Sequence, residues 1–178
     1  MISFLHVEAP MEFEFKTLSP EAVPRALAKA ERYRLLNEPG EAESICRDAL
    51  AIEPDNQEAL ATLLLALTEQ FGDAASTSVA EAWKTVERLR DEYERTYYTG
   101  ILYERLAKAR LAQGAPGCGP RSYEWLREAM DWYEKAEALR PPSNDDALLR
   151  WNACARLIMR DAHLVPSAEE RGEPLLLE

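Results

Sequence analysis

The chain has 178 residues, about the length of one domain, with 21 Lys and Arg against 32 Asp and Glu and a formal charge of -11. Its 47% hydrophobic and 30% charged residues exclude a mainly disordered chain. The acidic balance argues against duplex nucleic acid or an anionic membrane surface as principal target, because holding phosphate draws on a surplus of Lys and Arg; a local basic patch stays compatible with it.

No stretch approaches the roughly 20 apolar residues needed to cross a bilayer, and the first ten residues lack the basic start and long apolar run of a signal peptide. The expectation is a soluble, cytoplasmic protein. Residues 1–18 form a leader in which Met11-Glu12-Phe13-Glu14-Phe15-Lys16 alternates apolar and polar side chains, the period of a half-buried strand. One reading packs Phe13 and Phe15 onto the first helix; the other offers the leader to a partner.

From Ser19 the pattern turns helical. Ser19-Pro20-Glu21-Ala22 supplies an N-cap, a first-turn proline and an acid near the positive end of the dipole, predicting a helix over 20–37. Pro39-Gly40 breaks the chain, and Ala42, Ile45, Cys46, Ala49, Leu50 and Ile52 then recur at three- and four-residue steps until Pro54. A third helix carries Leu60, Leu63, Leu64 and Leu67 and stops near Phe71-Gly72. After a polar loop over 74–78, Ala82, Val86 and Leu89 mark a fourth over 79–93. Tyr97, Ile101, Leu102, Leu106, Ala109 and Leu111 mark a long fifth, ending near Gln113. Residues 114–120 read as loop, 122–139 as a sixth helix, and the segment after Pro141-Pro142, capped by Ser143 or Asn144, as a seventh to His163. The tail over 164–178 has no long pattern and is expected to be flexible.

Cys46, Cys118 and Cys154 are odd in number and widely spaced, with only His6 and His163 to share a metal, so neither a disulfide framework nor a zinc site is expected. Cys46 and Cys154 fall in helical apolar patterns as small core residues, and Cys118 falls in an exposed loop. Asn144-Asp145-Asp146 at a helix start complements the dipole, with no second carboxylate cluster to complete a metal site. No GxxxxGK[ST], GxSxG or HExxH string occurs. No cofactor is expected.

The chain repeats itself. Ala42, Cys46, Ala49 and Pro54 are matched by Ala129, Tyr133, Ala136 and Pro141, at steps of four, three and five in both places. Short side chains at fixed steps let helix axes approach closely, and a proline ends each unit. At these residues the chain resembles the tetratricopeptide repeat family, whose units are helix hairpins of about 34 residues. The unit over 20–54 matches best, with Tyr33 late in its first helix. The second, 57–93, keeps Leu60, Leu63, Leu67 and Ala82 but lacks the closing proline; the third has Gly100 and Tyr103 at the family's glycine and aromatic positions.

The resemblance covers about 20–163. It implies an all-α right-handed superhelix of about seven helices in antiparallel hairpins, the last a cap, with a domain over 19–163. It also implies a non-catalytic adaptor or scaffold that holds a peptide or helix of another protein in a concave groove. The family's groove-facing pattern falls on Leu27, Glu31 and Arg34, on Ala61, Leu65 and Thr68, on Tyr97, Ile101, Glu104 and Arg105, and on Leu149, Ala153 and Arg156. Leu27, Glu31 and Thr62 stand where the chaperone-binding members begin their basic-and-asparagine cluster, so that specialised function is not expected.

Arg34, Arg105 and Arg156 either pair with acids of a ligand or with acids such as Glu31 and Glu104 on their own helices. The aromatic concentration of Tyr97, Tyr98, Tyr103, Trp125, Trp132 and Trp151 reads as core, with Tyr97 the exception that faces the groove. Two alternatives stand beside the adaptor: self-assembly as a homo-oligomer through the end faces or the leader, and a helical enzyme whose site is gathered only in the fold.

Overall fold

The computed structural model of the chain describes residues 13–72, 77–114 and 117–166. They form a 3-10 turn, Pro20–Ala22, and seven α-helices: α1 Val23–Leu35, α2 Pro39–Ile52, α3 Gln57–Glu69, α4 Thr77–Val86, α5 Glu92–Gln113, α6 Cys118–Leu139 and α7 Asp146–Arg160. Among the described residues there is no strand, and no helix is long and apolar enough to cross a membrane. Met11 and Glu12 of the alternating leader, and the tail over 167–178, lie outside the described residues. Residues 13–19 are neither helix nor strand; Phe13 and Phe15 are exposed and do not pack onto the first helix, and only Leu18 is drawn against the core.

Helix ends follow local chemistry. α1 stops because Asn37 takes a left-handed conformation, φ 61°, and the N–H groups of Asn37 and Glu38 donate to the carbonyls of Arg34 and Tyr33, each at 2.9 Å. Pro39 is therefore the first residue of α2, where its missing N–H and fixed φ fit, rather than a break. The α3 start is capped by Asn56, whose Oδ1 accepts the Ala59 N–H at 2.9 Å.

The fourth helix is shorter than the apolar pattern suggests. It ends at Val86, and α5 begins anew with Asp91 Oδ1 accepting the Glu94 N–H at 2.8 Å. Arg95 reaches back from the first turn of α5 and donates to the Leu89 and Arg90 carbonyls at 2.8 and 3.1 Å, satisfying the linker. Tyr93 thus belongs to α5. The Gly/Pro segment is also shorter than expected, since α6 starts at Cys118, with Gly119 and Pro120 in its first turn and Cys118 half-buried. α7 ends at Arg160, and Leu164 beyond it is buried.

Each helix packs on the next in chain order; α1 also meets α3, and α3 meets α5. The core divides into two clusters. One gathers the apolar faces of α1–α4 with Leu102; the other joins α5, α6 and α7 with Leu65 from α3 and Leu164. Ala42, Cys46 and Ala49 are wholly buried on α2, and Ala129, Tyr133 and Ala136 are wholly buried on α6, so the residues repeated in the sequence hold the same kind of place in both halves. Pro54 and Pro141 each stand exposed, two residues beyond those helices.

Gly100 shows how closely α5 and α6 approach. A Cβ placed there would lie 2.6 Å from Cε1 of Tyr133, deep in the second cluster. Gly100→Ala is expected to lower stability by about 1–3 kcal/mol, read by urea denaturation, as the ring is pushed off its place. Gly72→Ala, where a Cβ meets nothing within 4 Å among the described residues, is the control.

Candidate partner-binding surface

The residues assigned to a groove do not share one environment. Leu27 and Thr68 are buried, the first in the core of α1–α4. Ile101 and Glu104 are both 0% exposed. These four correct the expectation of an open groove lined by them. Ile101 sits in the cluster built with α6 and α7, where Ala147 and Cys154 also lie, so the stripe of α5 assigned to a ligand is occupied by the protein's own helices.

Glu104 is the centre of a polar network. Its Oε2 accepts the Tyr133 hydroxyl at 2.6 Å, and its Oε1 accepts Lys108 Nζ and Arg150 Nη1, the latter at 3.3 Å. Burial pushes the carboxyl upward, but the hydrogen bonds from Lys108 and Tyr133 and the charges of Lys108 and Arg150 outweigh it and hold the group below its ordinary value. Burial first, then the Glu104 charge and hydrogen bond, drives the Tyr133 hydroxyl far up, so it donates and does not ionise. The network ties α5, α6 and α7 together, and Trp151 Nε1 adds a bond to Glu134 on α6 at 2.9 Å.

Arg34 plays the corresponding part between α1 and α3. Its Nε and Nη2 donate to the two carboxylate oxygens of Glu69 at 3.2 and 2.7 Å, a forked geometry. Among the described residues its acidic partner lies on α3 and not on its own helix. Tyr97 is half-buried among aromatic neighbours, with ring centroids 5.8 Å from Tyr93, 5.3 Å from Tyr98 and 5.9 Å from Tyr133. Burial raises its hydroxyl, with Arg150 opposing. Leu65 and Tyr97 both pack against the second cluster, as do Tyr98, Tyr103, Trp125 and Trp151. Trp132 instead lines a cleft with Trp83. Arg105 is half-buried, and among the described residues its Nε has no hydrogen-bond partner.

What stays open is Glu31 on α1 and one face of α7. Leu149, Ala153 and Arg156, at steps of four and three, are all exposed, Leu149 at 60%; Met159 continues the stripe at 85%. Ala147 and Cys154 hold the opposite face of the helix in the core. Of the residues assigned to the groove, those of α7 are thus exposed, while Ile101 and Glu104 of α5 face the packing.

Burial pushes the thiols of Cys46 and Cys154 up to about 12, which keeps both protonated and unreactive at neutral pH. Asn144 and Asp145 serve the fold: Asn144 Oδ1 accepts from the Asp146 N–H at 3.0 Å and the Tyr93 hydroxyl at 3.1 Å, and Asp145 lies 3.1 Å from Arg140. Among the described residues no group of three His, Cys, Asp or Glu is placed to hold a metal ion. Compared with protein-family models, with curated proteins and with solved structures, the chain shows no significant match.

Proposed function

We propose that the chain is a non-catalytic adaptor of the cytoplasm, built as an irregular tetratricopeptide-like array, and that it binds a peptide or helix of another protein. The observation that carries this reading is the open stripe of α7. A helix whose far face is locked in the core leaves Leu149 and Met159 in solvent beside Arg156, an apolar surface with a charged group for orientation. The matched buried faces of α2 and α6 support the repeat reading, because hairpins stacked in this way present a row of helices rather than a closed pocket. Glu31 on α1 is exposed as well, while Leu65 and Tyr97 are drawn against the core and Arg105 is half-buried.

The test is Leu149→Glu combined with Arg156→Glu, used as bait beside the wild type in native lysate. Both positions are exposed, so helix content and stability are expected to stay within about 0.5 kcal/mol of wild type. A protein retained by the wild type and lost from the variant supports the adaptor. Equal retention by both overturns the α7 surface. Self-association is the second reading, favoured by Leu35 at the end of α1, which is 82% exposed; a mass that rises with concentration and falls in a Leu35→Glu variant would establish it instead.

A further inference from the structure

α1 opens the fold, and its helix neighbours are α2, α3 and the preceding 3-10 turn. Its outward side carries Arg25, Lys29 and Arg32 at steps of four and three, so the three cations lie along one face. All three are exposed. None of them makes an ion pair among the described residues, whereas Arg34, Arg47, Arg90, Arg121, Arg140 and Arg150 each do. The shallow cleft along this face is lined by those three cations with Ala28, Tyr33 and Leu36, and contains no carboxylate. Lys29 Nζ stands 5.5 Å from the centre of the Tyr33 ring, and Leu36 is 67% exposed, so an apolar strip runs beside the charges.

We infer that this face of α1 is a second docking surface, distinct from the stripe of α7, and that its occupant is an acidic amphipathic helix of another protein. Charge complementarity names the occupant. In a chain of net charge -11, three cations that make no ion pair among the described residues line one cleft without a carboxylate in it, with Glu21 and Glu31 outside that lining. A partner helix with Glu or Asp at the same four- and three-residue steps meets them along one seam, as flanking charges do in paired helices. An apolar side chain between its acids rests on Ala28, Tyr33 and Leu36. An extended polyanion is disfavoured, because a duplex or an anionic membrane would also face the excess carboxylates of the rest of the chain.

The experiment titrates the full chain into a labelled synthetic helical peptide bearing Glu at those steps with Leu between them. Controls are the same peptide with Lys for Glu, and a duplex oligonucleotide. The Glu peptide is expected to bind, with affinity falling about tenfold or more between low and physiological salt. In an Arg25→Glu, Lys29→Glu, Arg32→Glu variant, shown by circular dichroism to keep its helix content, the Glu peptide loses at least about tenfold in affinity and the Lys peptide gains it. The Leu149→Glu, Arg156→Glu variant binds the Glu peptide as wild type does, which separates this surface from the one on α7. No binding of the Glu peptide, equal binding by the charge-reversed chain, or preference for the oligonucleotide overturns the inference.

Discussion

Replacing Glu104 with alanine is expected to cost about 2–4 kcal/mol of unfolding free energy, measured by urea denaturation, because it removes the buried acceptor at the centre of the network and leaves a cavity and the buried Tyr133 hydroxyl without a partner. The Tyr133 hydroxyl, which now donates to Glu104 Oε2 at 2.6 Å, would lie among apolar neighbours with no acceptor in its place. Lys108 and Arg150 would lose their common anion. Glu104→Gln keeps the shape and an acceptor but not the charge, and is expected to cost less.

The pH dependence follows from the same network. The folded carboxyl is held below its ordinary value of 4.5, so its ionised form is favoured by folding. That contribution is complete above the ordinary carboxylate range and is lost as pH falls through the lower, folded value. Wild-type stability should therefore drop on acidification below about pH 4, and Glu104→Gln should flatten that limb while leaving the neutral-to-basic side parallel. Denaturation midpoints for both proteins across this range decide it; identical acid limbs would mean that Glu104 does not carry the ionisation.

The local patterns that place helices are strong in this chain, and those that place helix faces against one another are weaker. Alanine at Ala42, Ala49, Ala129 and Ala136 marks close helix contact directly, because its short side chain lets the helix axes approach, and all four are buried. Proline is ambiguous. Pro54 and Pro141 lie beyond the ends of α2 and α6, but Pro39 opens a helix, and the difference lies two residues earlier in the left-handed turn of Asn37. The Asp91-x-x-Glu94 spacing carried a helix start that the apolar run through Val86 and Leu89 concealed.

The candidate surface was less legible for a physical reason. A helix in contact with two others has a buried arc wider than one amphipathic stripe, and periodicity alone does not say where that arc ends. On α5 the arc takes in Tyr93, Thr96, Gly100, Ile101, Glu104 and Ala107, so a polar residue inside it looks like a surface residue in the sequence. The Lys108 partner of Glu104, four residues on, is visible as a helical pair. Arg150 lies on another helix, 46 residues away, and no local signal points to it.

Ala49→Arg and Ala136→Arg together test how far the repeated faces act alike. Each alanine is wholly buried, on α2 in the first cluster and on α6 in the second, and an arginine there must either drive the helices apart or leave its charge without water. Each is expected to lose about 3–5 kcal/mol, while Ala51→Arg and Ala138→Arg, at exposed positions of the same helices, stay within about 0.5 kcal/mol of wild type. The division of the core sets the pattern of damage. Tyr98 packs against both clusters, Leu65 and Leu102 each cross into the cluster of the other half, and Leu106 and Ala109 of α5 also pack against the first, so the halves meet along α5. Hydrogen exchange should then show Ala49→Arg stripping protection from α1–α3 before α5 and α6, and Ala136→Arg doing the reverse, as expected when neighbouring hairpins stabilise one another only through their shared face. Equal loss of protection in both halves of either variant would mean that the two clusters unfold as one unit, with the seam along α5 as strong as the cores on either side of it.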